Sequence, residues 1–122
     1  MNKVVIIAKI TAIEGKRDEL VAAMGPMIDH VEANEPDTLT YILNVDAADE
    51  NVLWMYEEYT SHEALAAHGQ SEAMKEMGMA LRPLAGARPD DARLLEQEGL
   101  GVARDDAPRR VEEDGGPLAE AG

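Results

Sequence analysis

Cysteine is absent from the chain. That excludes disulfides, thiolate metal sites and a cysteine nucleophile, and it fits a reducing, cytoplasmic setting. Phenylalanine is absent too, and the aromatics are one tryptophan and three tyrosines. All four fall in one short stretch, as Tyr41, Trp54, Tyr56 and Tyr59, so one part of the domain carries the aromatic surface. No apolar run approaches the roughly 20 residues that a membrane span needs. Residues 1–20 lack a secretory leader pattern, because Lys9 interrupts the apolar run Val4 to Ala8 and no small-residue cleavage site follows. Basic residues are few: 11 Lys and Arg against 25 Asp and Glu give a net charge of −14. Such a chain repels phosphate backbones and anionic bilayers, so neither nucleic acid nor membrane is an expected partner.

At 122 residues the chain has room for one domain. The composition shifts near Gly86. Before it, apolar residues recur with clear periods. After it come Arg88-Pro89-Asp90-Asp91, Arg109-Arg110 and Glu112-Glu113-Asp114-Gly115-Gly116-Pro117. A segment this charged and glycine-rich buries too little apolar surface to offset the entropy of ordering it. The expected organisation is a folded domain over residues 1–98 and an acidic, disordered tail over 99–122.

The run from Val4 reads as a strand that continues to Ile13 and ends at Glu14-Gly15. Residues 16–33 read as a helix with Leu20, Met24, Met27 and Val31 on one stripe, kinked by Pro26. Residues 39–45 and 52–59 read as two further strands joined by an acidic turn. Thr60-Ser61-His62-Glu63 has the spacing of a capping box, with the Thr60 hydroxyl as the cap. A short helix then runs to His68, and Gly69 ends it. Ser71 caps another helix carrying Met74, Met77, Leu81 and Leu84. Residues 92–95 can add a last, weak strand. The order β-α-β-β-α with that last strand is the split βαβ pattern of an α+β, ferredoxin-like fold with an antiparallel sheet.

The strands are apolar on both sides. Val4, Ile6, Ala8 and Ile10 share one face of the first strand, and Val5, Ile7 and Ile13 the other. In the third strand Leu53, Met55 and Tyr59 oppose Val52, Trp54 and Tyr56. Helices can cover only one face of an antiparallel sheet, so a second copy of the chain is expected on the other, as a homodimer. The competing reading is a monomer with scattered surface apolars.

Glu35-Pro36-Asp37-Thr38-Leu39-Thr40-Tyr41 resembles the EPG-x-L-x-Y lead-in to the second strand of the antibiotic biosynthesis monooxygenase family. Tyr56-Glu57-Glu58-Tyr59 with Glu63 to His68 resembles that family's third strand and short helix, and Gly15 to Leu20 its first helix. The resemblance implies a dimeric α/β barrel with a pocket between sheet and helices in each subunit. Many members are cofactor-independent monooxygenases of quinols or polyketide anthrones. Others degrade haem, process small signalling molecules or have no known activity. Asp37 departs from the usual glycine. Glu72, Ala73 and Met74 stand where many quinol-type members carry a second histidine. Ala8, His68 and Gly78 stand at the places of the haem-degrading set, which disfavours that chemistry.

On this resemblance the expected activity is oxygenation of a small quinol-like or polyketide-like aromatic by O₂, with no cofactor and no metal. An ionised hydroxyaromatic can pass an electron to O₂ itself; the protein supplies an apolar pocket, a base and hydrogen bonds to the developing oxyanion. His68 is the candidate base, since imidazole titrates near neutral pH. Asn44, Tyr56 and Tyr59 can orient oxygens, and Trp54 can stack on a flat substrate. Each has a plainer reading. His68 can bond the last helix carbonyls, Trp54 can be core or dimer interface, and Asn44 can face solvent. Glu57 and Glu58 are adjacent and point to opposite faces, so they form no dyad; one faces an apolar layer, as a structural acid or a second base. His62 and His68 lie about 240° apart around a helix and share no metal. The seven methionines fill irregular gaps and line a loose pocket. A non-catalytic ligand-binding or stress-related dimer, or an isomerase of a small oxygenated metabolite, fits the same scaffold.

Overall fold

A computed structural model describes residues 3–86 and 92–104. Four strands, β1 (Val4–Thr11), β2 (Thr38–Val45), β3 (Val52–Tyr59) and β4 (Arg93–Glu96), form one antiparallel sheet in the order β2-β3-β1-β4. Four helices, α1 (Arg17–Ala23), α2 (Gly25–Asn34), α3 (His62–Gly69) and α4 (Glu72–Leu81), complete the α+β, ferredoxin-like arrangement.

Three local expectations shift. The kinked helix is two helices. Pro26 sits in the first turn of α2, where its missing N–H costs nothing, and the chain breaks at Met24. The cap of α3 is Ser61, not Thr60: Ser61 Oγ accepts from the Ala64 N–H at 3.1 Å. Thr60 still belongs to the extended chain, its N–H bonded to the Asp37 carbonyl at 3.0 Å. Ser71 caps α4 as its sequence indicates, accepting from the Met74 N–H. Gly15, at φ 84, turns the chain from β1 towards α1. β1 stops at Thr11 rather than Ile13, since Ala12 already bridges to Ala85.

Pairing fixes which residues share a face. Val4, Ala8 and Ile10 of β1 lie opposite Tyr59, Met55 and Leu53 of β3, and Tyr41 and Leu43 of β2 oppose Glu57 and Met55. This is the side the helices cover. Leu20, Met24, Met27, Leu53 and Tyr59 are sealed there, each at 1% exposure or less. Burial of each such side chain stabilises by about 1.5–3 kcal/mol. The opposite face carries Ile7, Ile42, Trp54 and Tyr56, and Ile42 is 52% exposed. β4 is exposed along its length. Gln97 still anchors the chain after it, donating to the Lys3 carbonyl and to Glu58. Residues 99–104 contain no helix or strand; the rest of the expected tail, 105–122, lies outside the described residues. Among the described residues no helix is long and apolar enough to cross a membrane.

Candidate active site

A cavity of about 410 Å³ lies between the sheet and the helices. Its floor is Ala8, Ile10, Tyr41, Met55 and Glu57 from three strands; α4 closes it with Met74, Met77, Gly78 and Leu81, and Met24 and Arg82 contribute at the sides. The lining is apolar apart from Tyr41, Glu57 and Arg82. Alternation along β3 explains Glu57: Met55, Glu57 and Tyr59 must point to one face, and Trp54, Tyr56 and Glu58 to the other.

Glu57 is held and desolvated. The Tyr59 hydroxyl donates to its Oε1 at 2.6 Å. Burial pushes the Glu57 carboxyl above its ordinary range, against the lowering effect of Tyr59 and His68. Burial, with the nearby glutamates Glu57 and Glu35, likewise raises the Tyr41 and Tyr59 phenols, so both remain donors across the neutral range. The Tyr41 hydroxyl reaches Met77 Sδ at 4.0 Å.

His68 is 4% exposed, yet it does not line this cavity. It lies in the wall of a second, more polar hollow of about 300 Å³ with His30, Glu35, Asp37 and Ser71. Its Nδ1 is 2.9 Å from Glu35 Oε1, and its Nε2 is buried without a hydrogen-bond partner. The ring packs between Tyr41 and Tyr59, with centroids 5.2 and 5.3 Å away. Glu35 gathers this corner. Thr38 Oγ1 donates to it at 2.8 Å, and His30 Nε2 is 3.1 Å from Oε2 but outside hydrogen-bond geometry. Burial pushes the Glu35 carboxyl up, but the bonds from His68 and Thr38 outweigh it and hold it below the usual carboxylate range.

The five residues expected to form one site therefore divide. Tyr59 and His68 stand on the helix side. Asn44, Trp54 and Tyr56 stand on the opposite face, because side chains alternate along β2 and β3. There Trp54 Nε1 donates to Asp46 at 2.9 Å and Lys9 Nζ sits 5.9 Å from the ring. Asn44 is exposed and donates to the Trp54 carbonyl, and Tyr56 donates to Glu58. Neither of these two hollows takes all five. Glu57, named in the sequence only as one of two alternatives, is the carboxyl that reaches the cavity. The alternation Leu53, Met55, Glu57, Tyr59 was the signal that selects it. Among the described residues no three His, Asp or Glu side chains are placed to hold one metal ion.

Comparison with known proteins gives one family. Residues 3–78 match the family model described as antibiotic biosynthesis monooxygenase. A proposed antibiotic biosynthesis monooxygenase from Caulobacter crescentus is 27% identical, with TM-score 0.75 over 79% of this chain and 90% of that one. A second, from Chloroflexus aurantiacus, is 24% identical, with TM-score 0.68 over 82% and 97%. SnoaB of Streptomyces nogalater, a cofactor-independent oxygenase, shares the fold at 17% identity and TM-score 0.66, over 89% and 100%. No curated protein matches the chain.

Proposed function

Since the chain belongs to the antibiotic biosynthesis monooxygenase family, we propose that it oxygenates a hydroxyaromatic of quinol or polyketide type with O₂ alone, using Glu57 as the base. The observation that carries this reading is the desolvated Glu57 carboxyl in an apolar, methionine-lined cavity of about 410 Å³. A carboxylate short of water is a stronger base than one at the surface, and a base tuned towards working pH transfers protons best. SnoaB, alike in fold, supports oxygenation without a cofactor as chemistry this scaffold can host.

For an anthrone-like substrate the balance closes without a cofactor. Glu57 takes the proton that leaves an electron-rich ring, the anion gives one electron to O₂, and the radical pair joins as a carbon-bound peroxide. Loss of the remaining C–H proton and cleavage of the O–O bond leave a carbonyl and water. One methylene and one O₂ are consumed, and the proton held by Glu57 returns to the departing oxygen. The Tyr41 hydroxyl is available to donate to the substrate oxygen, and Tyr59 fixes the carboxyl. Within this reading His68, paired to Glu35 and packed on both tyrosines, is a positioning residue.

The test is O₂ uptake by the purified protein with an aromatic hydroquinone and an anthrone, without flavin or metal. Glu57→Gln is expected to lower kcat by roughly 10²–10⁴ with KM little changed, the usual worth of a positioned base. Uptake unchanged in Glu57→Gln rejects this carboxyl as the base. No uptake with any hydroxyaromatic favours a ligand-binding or isomerase role for the same cavity.

A further inference from the structure

Phenylalanine is absent from the chain, yet methionine occurs seven times. Four of these, Met24, Met55, Met74 and Met77, line the cavity, and the Tyr41 hydroxyl lies against Met77 Sδ. Leucine would fill the same space. Thioether sulfur differs in its chemistry: it is soft, nucleophilic and readily oxidised to the sulfoxide. Of the other three, Met1 lies outside the described residues, and Met27 and Met79 lie off the cavity and differ from each other. Met27 is in the core at 1% exposure, and Met79 is on the same helix as Met74 and Met77 but 55% exposed.

We propose that the cavity methionines, Met77 and Met74 foremost, are a modification site that captures oxygen from hydroperoxides arising inside the cavity. This rests on the monooxygenase reading, in which a carbon-bound peroxide forms against these side chains. The sulfur lone pair attacks the outer peroxide oxygen. The O–O bond breaks, the sulfur is oxidised by two electrons to the sulfoxide, and the outer proton passes to the inner oxygen, which leaves as an alcohol or, from hydrogen peroxide, as water. Each capture makes the apolar cavity more polar, so an oxidised subunit binds a flat aromatic less well until the sulfoxide is reduced.

The two off-cavity methionines make the test internal. The full-length protein is allowed to turn over an anthrone in air with catalase in solution, then digested, and sulfoxide is measured at each methionine by mass spectrometry. A parallel sample without substrate receives cumene hydroperoxide, an apolar peroxide that enters an apolar cavity; a third receives hydrogen peroxide in bulk. Turnover and cumene hydroperoxide are expected to oxidise Met77 and Met74 at least about fivefold more than Met79, leaving Met27 intact, whereas bulk peroxide follows exposure and takes Met79 first. Met79 leading in the cumene hydroperoxide sample overturns the proposal, whether or not the protein turns over. So does a turnover sample in which O₂ is consumed and the cavity methionines stay unoxidised. Absence of O₂ uptake with Met77 still leading under cumene hydroperoxide rejects the monooxygenase reading and retains the capture site.

Discussion

In the proposed reading, Glu57 ties catalysis to stability in one carboxyl. Burial raises it above its ordinary range, so the native state holds the proton more tightly than the unfolded chain. Its contribution to stability is complete below the ordinary glutamate range and is lost as pH rises through the native value. Glu57→Gln keeps an oxygen for the Tyr59 hydroxyl and removes the charge. Its thermal midpoint is therefore expected to exceed the wild type's at pH 8, with the gap closing as the pH is lowered towards about 4. Calorimetry across that range checks it; a gap independent of pH would remove ionisation as the cause. Glu35 has the opposite sign. Its carboxyl is held below the ordinary range, so its contribution is present at neutral pH and lost as pH falls through the native value. His68→Ala takes away the partner of that carboxylate and leaves it in a corner only 14% exposed. A loss of about 3 kcal/mol is expected, and a urea-melt cycle with Glu35→Gln should show a coupling of about 1 kcal/mol or more. Additive losses would mean that the pair contributes nothing beyond packing.

Caps and breaks decide where the elements begin. Thr60, Ser61 and Glu63 offer two overlapping N-cap frames, and pairing of Thr60 with Asp37 across the sheet end decides between them. Ser61→Ala is expected to lower stability by about 1 kcal/mol, and Thr60→Ala by a few tenths at most. The reverse order in chemical denaturation would restore Thr60 as the cap. At α1 and α2, Met24 and Pro26 turn a single amphipathic stripe into two short helices. This lets Met24 point into the cavity while Met27 enters the core. The helix that roofs the cavity, α4, buries no residue completely, which makes it an element of low local stability.

At the scale of the whole molecule the uncovered sheet face is the main unbalanced term. Ile7, Ile42, Trp54, Tyr56 and Leu95 line it, with Ile42 at 52% and Leu95 at 47% exposure. A second copy of the chain packed on this face would place Trp54 and Tyr56 between subunits and give them an interface role. Light scattering at micromolar protein is expected to give twice the monomer mass, and Trp54→Glu to shift it to the monomer by burying a charge in the interface. A wild type that scatters as a monomer would reject this assembly. The domain is proposed to need nothing beyond residue 98, since Gln97 is the last described residue bonded to the sheet. Truncation after Glu98 is expected to leave the thermal midpoint unchanged within a degree or two, as surface changes far from packing do; a larger fall would place the following residues against the domain.

By itself the sequence determined what local periodicity controls. Period-two runs located three strands, apolar stripes and Ser71 located the helices, and the motif around Glu35 to Tyr41 pointed to the family. It also required that Glu57 and Glu58 face opposite ways, because adjacent strand residues always do. What it left open depends on contacts between distant segments. Asn44, Trp54, Tyr56, Tyr59 and His68 are near one another in the chain, and their chemistry together with the family resemblance grouped them as one site. Alternation along β3 already set Trp54 and Tyr56 against Tyr59; the pairing of β2 with β3 put Asn44 on the Trp54 side, and the helices decided which face holds the cavity. The same packing turned His68 towards Glu35, 33 residues away, and brought Met24, Met55, Met74 and Met77 together around Glu57. No local rule contains those separations, because burial is shared by elements that meet only once the chain has folded.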